Sequence, residues 1–518
     1  MPRDFFHGRH AGLLVPLFSI PGGRSWGIGE LADLPSLGAW MSGAGFSFVQ
    51  LLPLNEMAGG QDSPYSALSA MAIDPIFIAP SAVPEIEALG GEALLNDDER
   101  ADLQAARESP SIDYARVRRV KATAFRAAFA RFVEREWRPK TARAQGLRRF
   151  IERSHWWLDD YTLFRALHAR VGDREWTGWD PPLRDRDPEA LRSARAGLAD
   201  EILFHAYLQW LAAQQWAEAR AAAGIGVFGD FPFMVSRDSA DVWARQSDFR
   251  LDASVGAPPD AFSETGQDWG FPAYRWAEIA AAGFQWLAER ARRNAELYDA
   301  YRVDHLVGFF RTYVRETDGS AGFVPADEPD QIRQGEQVLA VLAAPGTRII
   351  AEDLGLIPAF VRESIARLGI PGFKVLRWER EWDVEGHPFK DPAGYPASSV
   401  ATSGTHDTET NAEWWDESPI ADRRAAAAVL PGHVDPTAPF DARVRDAILD
   451  VLFTSRSDIV LIPIHDLFGW RERINTPALI SNENWTWRLP WRVEDLQTGA
   501  GAIERAAFAR DLISRSHR

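Results

Sequence analysis

The chain has 518 residues and a formal net charge of −17, with 46% hydrophobic and 25% charged residues, a composition typical of soluble globular proteins. Such an acidic chain repels phosphate backbones, so nucleic acid is not expected as a partner. The absence of cysteine excludes disulfides and thiolate chemistry and fits a cytoplasmic protein. The apolar residues 11–20 lack the features of a signal peptide and are too short to span a membrane. We therefore predict a first buried strand there and no membrane association.

Eight short apolar runs rich in β-branched residues are predicted as strands, each bounded by turn or polar residues. In chain order they cover residues 12–18, 48–54, 226–235, 298–306, 348–354, 373–378, 399–405 and 458–464. Because continuous apolar strands alternate with helical patterns, they indicate a parallel sheet covered on both faces. Eight of them predict an α/β fold, a closed (β/α)₈ TIM barrel, although the pattern alone leaves an open doubly wound sheet possible.

Two longer segments interrupt the barrel pattern. Residues 85–223 are rich in Ala, Arg, Glu and Leu at helical spacing, which predicts a helical subdomain inserted between the second and third strands. Residues 256–272 are rich in Gly and Pro and are long enough to form a functional lid rather than a simple connection. We expect one catalytic domain spanning residues 1–518.

Three predicted strands end in an acid, namely Asp304, Glu352 and Asp407. Catalytic side chains of such barrels lie at the C-terminal ends of the strands, so these acids are expected to meet there. A retaining glycosidase needs one ionised carboxylate as nucleophile and one protonated carboxyl group about 5–5.5 Å away. Arg302, on the same strand face as Asp304, is expected to keep that carboxylate ionised. The charges of Asp304 and Asp407 are expected to raise the pKa of Glu352.

Other interpretations of this pattern stay open. A single acid at a strand end is more often a helix cap or an ion-pair partner than a catalytic group. A metal-dependent barrel hydrolase would use Asp304-His305 and His406-Asp407 as ligand pairs. Against it, H-x-H and H-E-x-x-H spacings are missing, and neighbouring residues of a strand point to opposite faces. A glucan-binding protein without turnover is a third interpretation, although it has no need of three acids.

The acids belong to a set of motifs that extends nearly from end to end of the chain. The set comprises Ser25-Trp26-Gly27-Ile28-Gly29, Asp62-Ser63-Pro64-Tyr65, Gly229-Asp230-Phe231-Pro232-Phe233, Asp238-Ser239-Ala240-Asp241-Val242-Trp243, Pro258-Pro259-Asp260, Phe262-Ser263-Glu264-Thr265-Gly266-Gln267, Trp269-Gly270, Arg473-Ile474-Asn475-Thr476-Pro477 and Asn484-Trp485-Thr486-Trp487-Arg488. In order and coverage it resembles the amylomaltases, the 4-α-glucanotransferases of glycoside hydrolase family 77. The resemblance implies a barrel without a separate C-terminal β domain and a retaining mechanism without metal or organic cofactor.

The resemblance also implies a role for individual residues. Asp304 matches the family nucleophile, Glu352 the general acid/base and Asp407 the transition-state stabiliser. A lid of about residues 252–276 matches the family's substrate-covering loop. Contacts to substrate are implied for Tyr65, Asp230, Arg302, His305, His406, Gln267, Trp269, Ser63, Asn475 and Glu381.

The expected reaction moves α-1,4-glucan segments between maltooligosaccharides through a covalent glucosyl intermediate on Asp304. Hydrolysis of α-1,4-glucans on the same scaffold is the alternative, because water can resolve that intermediate in place of a sugar. The sequence departs from the usual family pattern at Ala261, Phe271 and Leu306-Val307. These departures concern the choice of acceptor, the length of the donor and the ability to make cyclic glucans.

Overall fold

The computed structural model describes residues 8–259, 266–477, 479 and 481–518. In this part of the chain twelve strands occur. They are β1 His10–Leu14, β2 Phe48–Gln50, β3 Gly226–Phe231, β4 Phe249–Ala257, β5 Gln267–Tyr274, β6 Ala300–Val303, β7 Thr312–Glu316, β8 Ala321–Val324, β9 Arg348–Ala351, β10 Gly372–Val375, β11 Ser399–Thr402 and β12 Ile459–Pro463. Eight of them form a closed parallel barrel in the order β1, β2, β3, β6, β9, β10, β11, β12, with β12 paired to β1.

The barrel confirms the predicted (β/α)₈ fold, and each of its strands overlaps one predicted strand. All eight are shorter than predicted, because the residues at their C-terminal ends leave the sheet for loops, turns and short 3-10 helices. Val303 of β6 pairs with Ala351 of β9 in parallel register. Asp304 and Glu352 each follow one member of that pair, so the register brings both acids to the same rim of the barrel.

The barrel interior is filled by side chains. The rings of Phe48 and Phe228 stack with centroids 4.1 Å apart. Gly12 leaves room for them, since a Cβ atom at that position would lie 2.4 Å from the Phe48 ring. Because the centre is packed, as is usual in such barrels, substrate chemistry is confined to the rim.

A second sheet stands beside the barrel and was not predicted. Its antiparallel strands follow the order β5, β4, β7, β8. Within the Gly- and Pro-rich stretch expected to be a lid, residues 256–257 and 267–272 belong to β4 and β5. These two strands pair in antiparallel register with two irregularities. Ala261 and the rest of residues 260–265 lie outside the described residues, whereas Phe271 lies on β5.

Nineteen α-helices occur among the described residues. They are α1 Leu34–Gly43, α2 Pro84–Glu87, α3 Asp97–Glu108, α4 Tyr114–Phe132, α5 Ala142–Arg170, α6 Pro181–Arg184, α7 Pro188–Gly197, α8 Ala199–Ala223, α9 Ala240–Ala244, α10 Trp276–Ala281, α11 Gln285–Leu297, α12 Val307–Phe310, α13 Glu328–Ala343, α14 Ala359–Arg367, α15 Asn411–Glu417, α16 Ile420–Ala427, α17 Ala442–Thr454, α18 Ile464–Phe468 and α19 Ala500–Arg515. The predicted helical segment 85–223 contains most of α2 and all of α3 to α8. Its role as an insertion stays a prediction. None of the described helices has both the length and the hydropathy needed to cross a bilayer.

Candidate active site

Arg302 is the electrostatic centre of the C-terminal rim. Its Nη1 atom donates to both carboxylate oxygens of Asp230, at 2.9 and 2.7 Å. Its Nη2 atom lies 2.8 Å from Oδ1 of Asp304. Arg302 and Asp230 are register partners on β6 and β3 and are both buried, whereas the Asp304 side chain keeps 23% of its surface exposed. One buried cation therefore neutralises two acids and leaves one of them accessible.

Glu352 lies at the end of β9 and is held by two backbone N–H groups. His305 N donates to Oε2 at 2.8 Å, and Leu354 N donates to Oε1 at 3.0 Å. Burial raises the pKa of Glu352 to about 7, and the negative charge of Asp304 adds to this rise. The expected direction is correct. The expected cause is wrong, because burial contributes more to the raised pKa than the charges of neighbouring acids do.

His305 adopts a left-handed backbone conformation, with φ of 43°. Such a conformation is uncommon for a residue other than glycine and marks functional sites when the surrounding structure enforces it. Its ring packs edge-to-face with those of Trp269 and Phe233, with ring centroids 4.8 and 5.4 Å apart. Burial lowers the pKa of His305 to about 4, so the imidazole is neutral near pH 7. In this state the ring has one hydrogen-bond donor and one acceptor.

Asp407 is held by two neighbours and remains open to solvent. Asn475 Nδ2 donates to Oδ1 at 2.6 Å, and His406 Nε2 lies 3.1 Å from Oδ2. Burial by itself would raise the pKa of Asp407. The charge of His406 and these hydrogen bonds outweigh burial and lower that pKa to about 2. The side chain is 41% exposed. Side chains of adjacent residues on a strand were expected to point to opposite faces. This is wrong for His406 and Asp407, because β11 ends at Thr402 and both residues lie in the following turn.

An aromatic surface adjoins the acids. The ring of Tyr65 stacks on that of His406, with centroids 5.3 Å apart and planes 17° apart. Its hydroxyl donates to Oδ2 of Asp230 at 2.7 Å. Tyr65 thus joins the buried Asp230 and Arg302 pair on one side of the site to His406 on the other.

The remaining predicted residues are Gln267, Trp269, Ser63 and Glu381. Trp269 Nε1 donates to Oε1 of Gln267 at 3.0 Å on β5. Ser63 Oγ accepts a hydrogen bond from the backbone of Tyr65 at 3.3 Å. Glu381 is exposed on the loop after β10, and within the described residues none of its hydrogen bonds or ion pairs reaches the three acids. Most of the predicted site residues are thus joined by direct contacts, whereas Glu381 makes no such contact with the three acids in the described part of the chain.

Two residues of this rim were not predicted as site residues. The ring of Trp485 lies 5.7 Å from Tyr65 and 5.6 Å from His406, and Arg473 Nη2 donates to the backbone oxygen of Asp407 at 3.3 Å. Trp485 has φ of 64°, an unusual conformation for a bulky residue. Both residues occur in C-terminal motifs noted in the sequence, but no spacing rule links those motifs to the acids.

Metal ligation was the competing interpretation of the same residues. Across residues 8–259, 266–477, 479 and 481–518, no group of three or more His, Asp or Glu side chains has an arrangement that could hold a metal ion. The positive charge between Asp230 and Asp304 is supplied by the guanidinium of Arg302.

Known proteins resemble this chain over nearly its whole length. The model of the 4-alpha-glucanotransferase family matches residues 15–494. The 4-alpha-glucanotransferase of Chlamydia pneumoniae is 33% identical over 507 residues, which cover 94% of this chain and 92% of that protein. The enzyme of the same name from Thermus thermophilus is 33% identical over 516 residues, covering 94% and 95%.

Solved structures give the same result. The amylomaltase from Streptococcus agalactiae in complex with acarbose is similar with a TM-score of 0.82 and 26% identity, covering 98% of this chain and 99% of that one. The family match spans most of the chain, and the named relatives cover nearly all of it. The chain therefore belongs to the 4-alpha-glucanotransferase family, glycoside hydrolase family 77, and is an enzyme that acts by transglycosylation.

Proposed function

We propose that the enzyme moves α-1,4-glucan segments between maltooligosaccharides by a retaining double displacement, with Asp304 as nucleophile and Glu352 as general acid/base. One observation carries this proposal. Asp304 is an accessible carboxylate paired with Arg302, and Glu352 is a carboxyl group whose pKa is raised to about 7. The two acids follow register partners on the adjacent strands β6 and β9. Retaining glycosidases use two carboxyl groups in these two protonation states.

In the first step, protonated Glu352 donates its proton to the glycosidic oxygen as Asp304 attacks the anomeric carbon. The glycosidic bond breaks, the donor's reducing-end fragment leaves as an alcohol, and an ester forms between the glucosyl unit and Asp304. Asp407, whose pKa is about 2, stays ionised and stabilises the positive charge that develops on the sugar.

In the second step, ionised Glu352 takes the proton from the acceptor's 4-hydroxyl group. That oxygen attacks the anomeric carbon, the ester bond to Asp304 breaks, and a new α-1,4 linkage forms with both carboxyl groups returned to their starting states. The Tyr65 ring and the neutral His305 imidazole offer the apolar and polar contacts that a glucose ring requires.

Transfer requires that a sugar hydroxyl group, rather than water, attack the glucosyl ester on Asp304. The β4–β5 hairpin brings Trp269 against His305, next to Asp304, and so covers one side of the site. Exclusion of water by such a cover favours transfer over hydrolysis. Maltooligosaccharides and longer α-1,4-glucans are the proposed donors and acceptors, in line with the named activity of the relatives.

Product analysis with maltotriose tests this proposal. We expect glucose together with a ladder of longer maltooligosaccharides, and we expect Asp304→Asn to lose about 10⁴-fold or more in rate. Asp318→Asn, which changes an exposed acid between β7 and β8, is the matched control and should keep full activity. New reducing ends without longer chains would indicate a hydrolase, and an active Asp304→Asn variant would exclude the assigned nucleophile.

A further inference from the structure

The loop between β10 and β11 carries two exposed tryptophans. The exposed fraction is 42% for Trp378 and 60% for Trp382, while most of the 21 tryptophans are buried. Trp491, at 37%, is the third exposed indole. Exposed indoles give up the stabilisation that burial would provide, and clustered exposed apolar side chains mark binding surfaces.

The base of this loop is fixed to the active site. Arg377 Nη2 donates to the backbone oxygen of Ser403 at 2.8 Å, and Nη1 donates to that of Glu409 at 2.8 Å. Its guanidinium also pairs with the Glu409 carboxylate at 2.9 Å. The segment between these two anchors contains His406 and Asp407. The loop therefore leaves the barrel rim beside the segment that carries Asp407.

The outer part of the loop is a short hairpin. Arg380 forms an antiparallel bridge with Phe389, and Glu381 N donates to the backbone oxygen of Pro388 at 2.9 Å. Arg380 is buried and its Nη1 donates to Asp422 at 2.9 Å, which ties the hairpin to α16. The tip, residues 381–387, is therefore held in place rather than free to collapse onto the protein.

Trp382 and Glu381 project from this tip. The Trp382 ring lies 5.3 Å from that of His387, and the Arg380 guanidinium carbon lies 5.9 Å from its centroid. Glu381 is exposed beside it. A supported, exposed indole next to an exposed carboxylate offers a face for stacking and an acceptor for hydroxyl groups, which is the chemistry that recognises a sugar ring.

We propose that the 381–387 tip binds a glucosyl unit of a long α-1,4-glucan outside the catalytic site, with Trp382 as the stacking surface beside Glu381, whose contact with substrate is already expected from the family resemblance. The identity of the ligand rests on the proposed function, and the hydrogen bonds of Arg377 join the base of the loop to the segment that contains His406 and Asp407. We expect a glucan bound at the three acids to reach the tip only when its chain is long. The contact therefore adds affinity for long chains alone.

Trp382→Ala tests this proposal with two substrates. With maltotriose we expect kcat/KM to stay within about twofold of the unmodified enzyme, while with long amylose KM rises about tenfold. Migration through a gel containing soluble amylose should be retarded for the unmodified enzyme and much less for the variant. Trp382→Phe keeps an aromatic face and should recover most of the retardation.

Trp491→Ala is the matched control, because it removes an exposed indole that contacts Phe468 and Trp470 instead of the hairpin. Equal losses in both tryptophan variants, equal losses on both substrates or no loss for Trp382→Ala would each overturn the proposal. Gel retardation needs no turnover. A Trp382-dependent retardation in an enzyme that fails to disproportionate maltotriose would therefore refute the proposed function while supporting the glucan contact.

Discussion

In the proposed mechanism, the protonation state of Glu352 determines the pH range in which the first step can run. The group must be protonated to donate to the leaving oxygen, and its pKa is raised to about 7. Its protonated fraction falls as the pH rises through 7. We therefore expect kcat/KM for maltotriose to decline on the alkaline side with an apparent pKa near 7.

Initial rates between about pH 4 and pH 9 measure this decline. Asp407, with a pKa of about 2, stays ionised throughout and adds no change in that range. Activity that stays constant above pH 8 would contradict the assignment of Glu352 as the acid. Glu352→Gln should remove most of the activity at every pH in the range.

At the residue scale, the sequence was informative where chemistry depends on local spacing. The separation of Arg302 and Asp304 by two positions on a strand predicts their contact, and the structure shows it at 2.8 Å. The pKa of Glu352 depends mainly on burial, which is a property of the whole rim. No local pattern could therefore assign its cause.

At the element scale, the eight barrel strands were predictable because each lies in a short, mostly apolar run between turn or polar residues. The β4–β5 hairpin was not predictable, because Gly and Pro, which are frequent within residues 256–272, are typical of loops. Trp485 was missed for a related reason. Its side chain reaches Tyr65 and His406 from a C-terminal segment without regular secondary structure, and no periodicity predicts that contact.

The β4–β5 hairpin is expected to control the competition between sugar and water. Trp269→Ala removes the ring that meets His305 and opens that side of the site. We expect the ratio of hydrolysis to transfer on maltotriose to rise about threefold to tenfold, measured as new reducing ends against new longer chains. Asp252→Ala, at an exposed position on β4, is the control and should leave the ratio unchanged. An unchanged ratio in the Trp269 variant would show that the hairpin does not exclude water.

At the scale of the whole molecule, stability depends on the packed barrel that places the acids. A methyl group at Gly12 would meet the Phe48 ring at 2.4 Å inside the barrel. Gly12→Ala is therefore expected to lower the free energy of unfolding by about 1–3 kcal/mol. Equilibrium unfolding in urea at fixed pH measures the change.

Gly43→Ala is the matched control for this prediction. Gly43 ends α1, and a Cβ atom there would have no neighbour within 4 Å. The variant should lose no stability and gain up to about 1 kcal/mol, because alanine favours the helix. Similar losses of unfolding free energy in both variants would mean that close packing around Phe48 is not the cause of the Gly12→Ala effect.

The covalent ester on Asp304 is the central claim, and trapping it is the most direct test. Glu352→Gln would be incubated with 5-fluoro-α-glucosyl fluoride, a donor that needs little acid assistance to form the ester, while the ring fluorine slows its breakdown. Peptide mass spectrometry should then locate one fluoroglucosyl group on Asp304, and a further Asp304→Asn change should abolish it. A fluoroglucosyl group on another residue, or none despite release of fluoride, would contradict the mechanism.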